Sequence, residues 1–258
     1  MEEDPAIVAR LRSAGCVFAE DEARLLAAAA RTPAELDALV SQRVSGLPLE
    51  QVIGWAQFCG LRIFVDPGVF VPRRRSEFLV QTAVTLAPQA GPVVVDLCCG
   101  SGALGVAVAA KLGAAGLHAA DVDPAAVACA RRNVEPAGGR VYLGDLFAPL
   151  PAALAGRVAI LICNAPYVPS REIAMLPPEA RDHEPRTALD GGTDGLAVLQ
   201  RVAAQAKGWL APGGLLLVET SERQAPRMAR EMAGAGLDAR VHDCADYGSA
   251  VVTGARAR

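Results

Sequence analysis

From residue 76 onward, short apolar runs alternate with helical stretches, and this alternation limits the possible folds more than any other feature of the sequence. It is typical of a parallel sheet covered by helices on both faces. Two late runs, 238–243 and 249–254, predict two further strands beside that sheet. The other strand-like runs are 93–97, 117–121, 140–143, 158–163 and 214–219, and the helical stretches are 76–87, 102–112, 124–133 and 195–210.

The first 75 residues differ from this pattern and predict a smaller unit ahead of the sheet. Residues 1–57 favour a helical domain, because Asp4 and Thr32 each stand as a capping residue directly before a proline. The stretch 58–75 predicts a β-hairpin linker, in which the alternating residues 58–71 form the hairpin and Asp66-Pro-Gly68 its turn. Residues 76–258 then form the α/β domain.

Composition and charge exclude several classes of protein. Hydrophobic residues make up 52% of the 258 residues, so a substantial core is expected. No apolar run reaches the roughly 18–20 residues of a membrane helix. The net charge of −3 disfavours direct nucleic-acid binding. The seven cysteines form no Cys-x-x-Cys pair and no zinc spacing, so we expect reduced thiols, a cytoplasmic location and no bound metal.

The stretch Val93–Gly105 predicts a buried strand, a glycine turn and the start of a helix, an arrangement that holds the nucleoside part of a cofactor. Its Gly100-Ser-Gly-Ala-Leu-Gly105 segment matches Gly-x-Gly-x-x-Gly, which by itself suits a dinucleotide equally well. Asp96 favours S-adenosylmethionine, because a carboxylate at this strand end can take up the methionine ammonium group, directly or through water. The predicted cofactor contacts in the loop are Cys98, Gly100 and Gly102.

Three later strand ends supply the rest of the predicted cofactor site, and the last of them contributes Asn164. Asp121 ends the second strand, and its carboxylate can accept both ribose hydroxyls, with Val122 beside it. Asp123 is the alternative, but its place directly before a proline favours a helix cap. Asp145 follows the third strand and can accept from the adenine amino group while Leu146 packs on the ring; the other interpretation of Asp145 is a capping residue.

The fourth buried strand ends in Asn164-Ala-Pro-Tyr167, which resembles the Asn-Pro-Pro-Tyr motif of amino-methyltransferases that act on planar nitrogens. The resemblance implies that the Asn164 side-chain oxygen and the Ala165 carbonyl accept the two N–H bonds of the acceptor and direct its lone pair towards the methyl group. The same resemblance implies that the face of Tyr167 packs on the planar group of the acceptor. Ala165 replaces the usual proline, but Pro166 still restricts it to extended conformations.

Other segments resemble more narrowly the protein-glutamine N5-methyltransferases that modify peptide-chain release factors. The stretch Phe70-Val-Pro-Arg-Arg-Arg-Ser-Glu77 is similar to that family's Pro-Arg-Pro-Glu-Thr-Glu, with arginines replacing the second proline and the first glutamate. The stretches His183–Gly195 and Glu219–Gln224 resemble its Glu-Pro-x-x-Ala-Leu-x-Gly-Gly-x-x-Gly and Glu-Ile-Gly-x-x-Gln. The resemblance implies that Pro72, Arg73 and Glu77 border the cleft, and that Pro72, Arg73 and Glu184 contact the acceptor.

This resemblance implies a seven-stranded class I methyltransferase sheet whose last strand is antiparallel, preceded by a helical domain that recognises the substrate protein. The implied activity is methylation of a glutamine side chain, in the Gly-Gly-Gln loop of a release factor, with S-adenosylmethionine as cofactor. Cys98, Ala165 and Ser221 depart from the family and motivate an alternative, a divergent paralogue acting on another protein or a small molecule. A nucleic-acid N6-adenine methyltransferase, a non-catalytic nucleoside-binding module and a nicotinamide dehydrogenase are further alternatives.

Overall fold

A computed structural model of the protein describes residues 4–87, 91–244 and 249–258, apart from the Cys244 side chain. The helices are α1 (Pro5–Ser13), α2 (Ala19–Ala29), α3 (Pro33–Val44), α4 (Leu49–Ile53), α5 (Glu77–Leu86), α6 (Ala103–Leu112), α7 (Pro124–Val134), α8 (Pro178–His183), α9 (Arg186–Leu189), α10 (Ala197–Trp209) and α11 (Ala225–Gly234). The strands are β1 (Trp55–Phe58), β2 (Leu61–Phe64), β3 (Val93–Leu97), β4 (Gly116–Asp121), β5 (Arg140–Leu143), β6 (Val158–Cys163), β7 (Leu210–Ser221), β8 (Asp238–Cys244) and β9 (Ser249–Ala255).

The N-terminal helices form a small bundle, and their predicted caps are confirmed. The Asp4 carboxylate accepts from the Ala6 N–H at 2.9 Å, and the Thr32 hydroxyl accepts from the Glu35 N–H at 3.1 Å. Each bond satisfies a backbone donor that the first helical turn leaves unpaired. Fully buried side chains from successive helices, Leu11, Leu26 and Val40 among them, make the core of this bundle.

The hairpin lies earlier in the chain than predicted. Its strands are β1 and β2, so the predicted span of 58–71 is wrong, and the turn between them is formed by Cys59 and Gly60. Both turn residues have positive φ, 52° and 81°, as the tightest two-residue hairpin turns require. Cysteine is an unusual residue for that conformation, which is why the sequence did not indicate a turn there. The Cys59 N–H donates to the Glu77 carboxylate at 2.9 Å, which anchors the turn on α5.

The segment Asp66–Gly68 forms a turn as predicted, but this turn follows the hairpin instead of closing it. The Val69 N–H donates to the Asp66 carbonyl at 3.1 Å, and Gly68 has a φ of 77°. The Gln51 side chain on α4 donates to the Val69 carbonyl at 2.9 Å. This bond ties the chain after the hairpin to the N-terminal helices.

The seven-stranded sheet has the order β5-β4-β3-β6-β7-β9-β8, and β9 runs antiparallel to both of its neighbours. The predicted α/β class, the seven strands and the antiparallel last strand are therefore confirmed. Alternate residues of β6 face opposite sides, with Ile160 and Ile162 in one core and Leu161 and Cys163 in the other. Burial on both faces explains why the central strands are continuously apolar in sequence.

The strand order places a crevice between β3 and β6. The chain runs from β3 outward through β4 to β5 and then crosses back to β6, so the direction of winding reverses between β3 and β6. Open parallel sheets bind ligands at such a point, beyond the carboxyl ends of the strands.

Among the helices of the described residues, none combines the length and the apolar character needed to cross a membrane.

Candidate active site

A cavity of about 330 Å³ lies at the carboxyl ends of β3, β4, β5 and β6. This volume is within the range of about 300–1,000 Å³ found for small-molecule sites. The linker segment 69–76 and the loop 185–189 complete its wall. The predicted site residues on the wall are Pro72, Cys98, Gly100, Asp121, Val122, Asp145, Leu146, Asn164, Ala165, Pro166 and Tyr167. Five others, Asp96, Gly102, Arg73, Glu77 and Glu184, do not line the cavity.

The glycine loop between β3 and α6 turns sharply through left-handed conformations. Cys98, Gly100 and Gly102 have φ values of 54°, 55° and 78°. A Cβ on Gly102 would lie 2.6 Å from the Val134 side chain, so glycine at this position permits α6 to pack against α7. Gly102 therefore lets the loop pack closely against α7, and its predicted contact with the cofactor stays a prediction. Cys98 adopts a conformation that disfavours any side chain by about 1–2 kcal/mol.

Asp96 is completely buried beneath this loop and is not on the cavity wall. Its Oδ2 accepts from the Gly105 N–H at 2.8 Å, and its Oδ1 has no hydrogen-bond partner within the described residues. Burial raises the pKa of this carboxyl to about 7; the Gly105 N–H opposes the shift and the charge of Asp121 adds to it. A Cβ on Gly105 would lie 2.9 Å from Asp96, which explains that glycine. Asp96 thus orients the loop, while its predicted contact with the ammonium group stays a prediction.

Asp121 joins the glycine loop to the end of β4. Its two carboxylate oxygens accept from the Gly100 N–H at 2.8 Å and the Asp123 N–H at 3.0 Å. Burial raises its pKa, and these two N–H bonds oppose the shift. Each oxygen retains a second lone pair for a ligand hydroxyl. Asp123 accepts from the Ala125 N–H at 2.8 Å and therefore caps α7, as predicted.

Asp145 lies on the cavity wall and forms an ion pair with Arg201 of α10. Both side chains are about half exposed, 55% and 53%, so the pair can open at little cost in free energy. Leu146 is buried beside them with a φ of 49°. The sequence did not indicate Arg201, because an exposed arginine on a helix is usually a solvated residue.

The residues Asn164–Tyr167 lie together on the cavity wall. The Asn164 Nδ2 donates to the Ser76 hydroxyl at 3.3 Å, which leaves Oδ1 as the free end of the amide. Ala165 is buried, and Pro166 keeps its backbone extended. Ser76 is also buried, at the start of α5, and was not predicted as a site residue. Its position in the Phe70–Glu77 segment was the available signal.

Tyr167 belongs to a group of three side chains that the sequence did not bring together. Its hydroxyl donates to Glu219 Oε1 at 3.1 Å, and the Arg75 Nε donates to the same oxygen at 3.2 Å. The Arg75 guanidinium also lies 5.9 Å from the centre of the Tyr167 ring. Burial raises the pKa of Tyr167, the charge of Glu219 adds to the shift, and Arg75 opposes it. Arg75 therefore places a cation on the cavity wall beside Tyr167, where the family segment has a glutamate.

The partly exposed Arg73 forms an ion pair with the buried Glu184. Neither residue is on the cavity wall, and their predicted contact with the acceptor stays a prediction. The other Glu184 oxygen accepts from the Val71 N–H at 3.1 Å. Burial raises the pKa of Glu184, while Arg73 and the Val71 N–H oppose the shift. The pair fastens the linker to the loop after α8, so that Pro72 faces the cavity.

The fold and this cavity define a class I methyltransferase. The chain belongs to the release factor glutamine methyltransferase family: relatives of that name from Geobacter sulfurreducens and Gloeobacter violaceus are each 41% identical to it. These matches extend over 198 and 233 residues, or 75% and 87% of this chain and 68% and 80% of the relatives. The profile of the methyltransferase small domain also matches residues 60–176.

Other matches concern the fold and a related chemistry. A methyltransferase structure from Pyrococcus furiosus superposes with a TM-score of 0.57 at 17% identity, covering 77% of this chain and 90% of that one. A ribosomal protein L11 methylase from Lactobacillus delbrueckii subsp. bulgaricus gives 0.54 at 17%, covering 76% and 86%. A 4-amino-L-phenylalanine/4-methylamino-L-phenylalanine methyltransferase from Streptomyces pristinaespiralis is 35% identical over 191 residues, 72% of this chain and 65% of that protein.

Proposed function

We propose that this enzyme transfers a methyl group from S-adenosylmethionine to the side-chain amide nitrogen of a glutamine in a release factor, within its Gly-Gly-Gln loop. The observation that carries the proposal is the Asn164–Tyr167 segment on the wall of a cavity of cofactor size. The names of the relatives support the choice of acceptor. A cytoplasmic location goes with this function and is supported by the free thiols of the six described cysteines.

The residues at one end of the cavity fit S-adenosylmethionine. Asp121 is held in place by two backbone N–H groups and keeps lone pairs for the ribose hydroxyls. Val122 is 60% exposed and Leu146 also lines the cavity, so both offer apolar surface to the adenine. A Cβ on Gly100 would meet nothing nearer than 4.0 Å, so the loop leaves room for a ligand. When bound, S-adenosylmethionine supplies a methyl group on a positively charged sulfur.

The acceptor amide would be held by two oxygens at the end of β6. Because Asn164 directs its Nδ2 towards Ser76, its Oδ1 is available to accept one N–H of the acceptor, and the Ala165 carbonyl accepts the other. An amide nitrogen is a weak nucleophile, since its lone pair is delocalised into the carbonyl group. Holding both N–H bonds in one orientation favours pyramidal nitrogen and directs its lone pair at the methyl carbon. The nitrogen then releases its proton to water.

Tyr167 would pack its ring on the acceptor amide. Contacts with Glu219 and Arg75 hold the ring in its orientation. The hydrogen bond to the buried Glu219 holds the phenol, and Arg75 lies beside both groups. A buried Glu219 without these donors would be strongly destabilised. The arrangement therefore keeps the ring in place without a further ligand.

We further propose that the chain is organised as a helical domain at 1–57, a linker at 58–75 and a methyltransferase domain at 76–258, with the first domain recognising the substrate protein. The contact between Arg43 and Glu179 supports this role. The Arg43 guanidinium bonds Glu22 at 2.6 Å within the helical bundle and lies 3.2 Å from Glu179, at the start of α8. The bundle is thereby placed beside the chain segment that leads to the cavity wall.

A small-molecule acceptor is the second candidate, and Arg75 on the cavity wall favours it. A cation there suits an acceptor that carries a carboxylate, such as the amino acid named for the Streptomyces pristinaespiralis relative. The planar amine of such a molecule would use the same Asn164 and Ala165 oxygens.

One labelling assay separates these candidates. The enzyme is given S-adenosylmethionine with a labelled methyl group, together with a release factor, its Gln→Ala variant, DNA or 4-amino-L-phenylalanine. Label on the release factor but not on its Gln→Ala variant is the expected result. Label confined to DNA or to the amino acid would reject the release factor as acceptor and identify the alternative.

A further inference from the structure

Gln224, at the start of α11, connects three segments around the acceptor side of the cavity. Its Nε2 donates to the Tyr167 carbonyl and to the Asp194 carbonyl, each at 2.9 Å. Its Oε1 accepts from the Ser221 hydroxyl at 2.6 Å and from the Ser221 N–H at 3.3 Å. Because carbonyls only accept and a backbone N–H only donates, the orientation of this amide is determined at both ends.

The two carbonyls belong to segments that also bond to each other directly. The Val168 N–H donates to the Leu189 carbonyl at 3.1 Å, and the Gly191 N–H donates to the Val168 carbonyl at 2.9 Å. Gly195 closes the second segment with a φ of 77°, and a Cβ there would lie 2.2 Å from both the Gln224 Nε2 and the Tyr167 oxygen. Glycine at 195 is therefore required by the close approach that Gln224 bridges.

We propose that Gln224 is a positioning residue for methyl transfer: it fixes the Tyr167 carbonyl and, through it, the Asn164 and Ala165 oxygens that hold the acceptor. The inference rests on the proposed function of those two oxygens. Gln224 is not on the cavity wall and touches neither the cofactor residues nor the acceptor position. Its effect is on geometry, and a displacement of about 1 Å at a reacting group can reduce the rate on the order of 100-fold.

The test uses Gln224→Glu, which keeps the shape of the side chain and its acceptor end. Above its pKa the new carboxylate directs an oxygen at the Tyr167 and Asp194 carbonyls, and this repulsion raises the pKa of the new group. When protonated, it donates to one of the two carbonyls again. The charged pairs on the same segments are Asp194 with Arg227 at 2.8 Å and Arg223 with Glu172 at 3.4 Å.

We expect kcat of Gln224→Glu to fall at least about 10-fold at about pH 8 and to recover towards wild type as the pH falls to about 6. The dissociation constant of S-adenosylmethionine should stay within about threefold, since the cofactor residues lie on other loops. The matched control is Gln81→Glu, the same change on an exposed position of α5, which should leave all of these values unchanged. An unaltered kcat in Gln224→Glu across this pH range would overturn the proposal.

A second measurement does not need an acceptor. Hydrogen exchange of the Val168 and Gly191 amides reports the contact between the two segments, and it should accelerate in Gln224→Glu at about pH 8 but not in Gln81→Glu. If the wild-type enzyme methylates none of the offered acceptors, the proposed function fails. The hydrogen-exchange rates alone then test whether Gln224 holds the two segments together. Unchanged exchange at both amides would then overturn the positioning role, and accelerated exchange would support it.

Discussion

Replacing Asn164 by alanine separates the two contributions of its side chain. The substitution removes the Oδ1 acceptor proposed for the substrate and also the Nδ2 bond to Ser76. The bond to Ser76 is long, at 3.3 Å, so we expect a loss of about 0.5–1.5 kcal/mol in the free energy of unfolding. A loss of that size leaves a domain with the usual 5–15 kcal/mol of stability almost fully folded. Any large loss of activity would therefore arise from the reaction itself.

The effect on catalysis should be much larger. Removing one preorganised group from a transition state reduces kcat by about 10²–10³, or about 2.7–4 kcal/mol. The Asp121 carboxylate is held by the Gly100 and Asp123 N–H groups and not by Asn164, so binding of S-adenosylmethionine should persist. Single-turnover kinetics would measure the chemical step, and calorimetric titration would measure cofactor binding. Turnover within about threefold of wild type, with the cofactor bound normally, would refute the role assigned to Asn164.

Three further predictions concern stability, all measured by urea unfolding. Because folding raises the pKa of Asp96 to about 7, the folded state binds this proton more tightly than the unfolded state, and the free energy of unfolding falls as the pH rises from about 4 to 7. The variant Asp96→Asn should lose this pH dependence. A variant with the same pH profile as wild type would contradict the assignment to Asp96. Cys98→Gly removes the cost of holding a side chain in a left-handed conformation and should raise the free energy of unfolding by up to about 1 kcal/mol. A decrease would show that the packing of the Cys98 thiol contributes more to stability than the strained backbone costs. Glu184→Ala leaves the partly exposed Arg73 without its ion-pair partner and should lower the free energy of unfolding by about 2–4 kcal/mol. Arg186→Ala, in an exposed ion pair, should lower it by less than about 1 kcal/mol. Equal losses in the two variants would show that the burial of Glu184 adds nothing to the Arg73–Glu184 pair.

Several parts of the candidate site could be predicted because each depends on one strand end. The apolar runs located β3, β4, β5 and β6, and parallel strands bring their carboxyl ends to one edge of the sheet. Asp121, Asp145 and Asn164 therefore had to lie near one another. The motif that ends β6 then predicted that Asn164 and Tyr167 belong to the same cavity, and both line it.

Other parts depended on contacts between distant segments. Arg75 and Glu219 are 144 residues apart in sequence, and no periodicity relates one to the other. The same is true of Ser76 and Asn164, which are 88 residues apart. Asp96, although correctly noted at its strand end, lies under the loop instead of on the wall. Whether a side chain faces a cavity or supports it from behind depends on how the loop above it folds.

By itself, the sequence determined the α/β class, the seven strands of the main sheet and the glycine loop at the cavity. These follow from apolar periodicity, helix caps and glycines, all of which act over a few residues. Only the tertiary structure decided the register of the hairpin, the ion pair behind the wall and the Gln224 contacts with the Tyr167 and Asp194 carbonyls. Those features depend on which backbone groups and charges are left unpaired when separate segments meet, and local patterns do not encode that meeting.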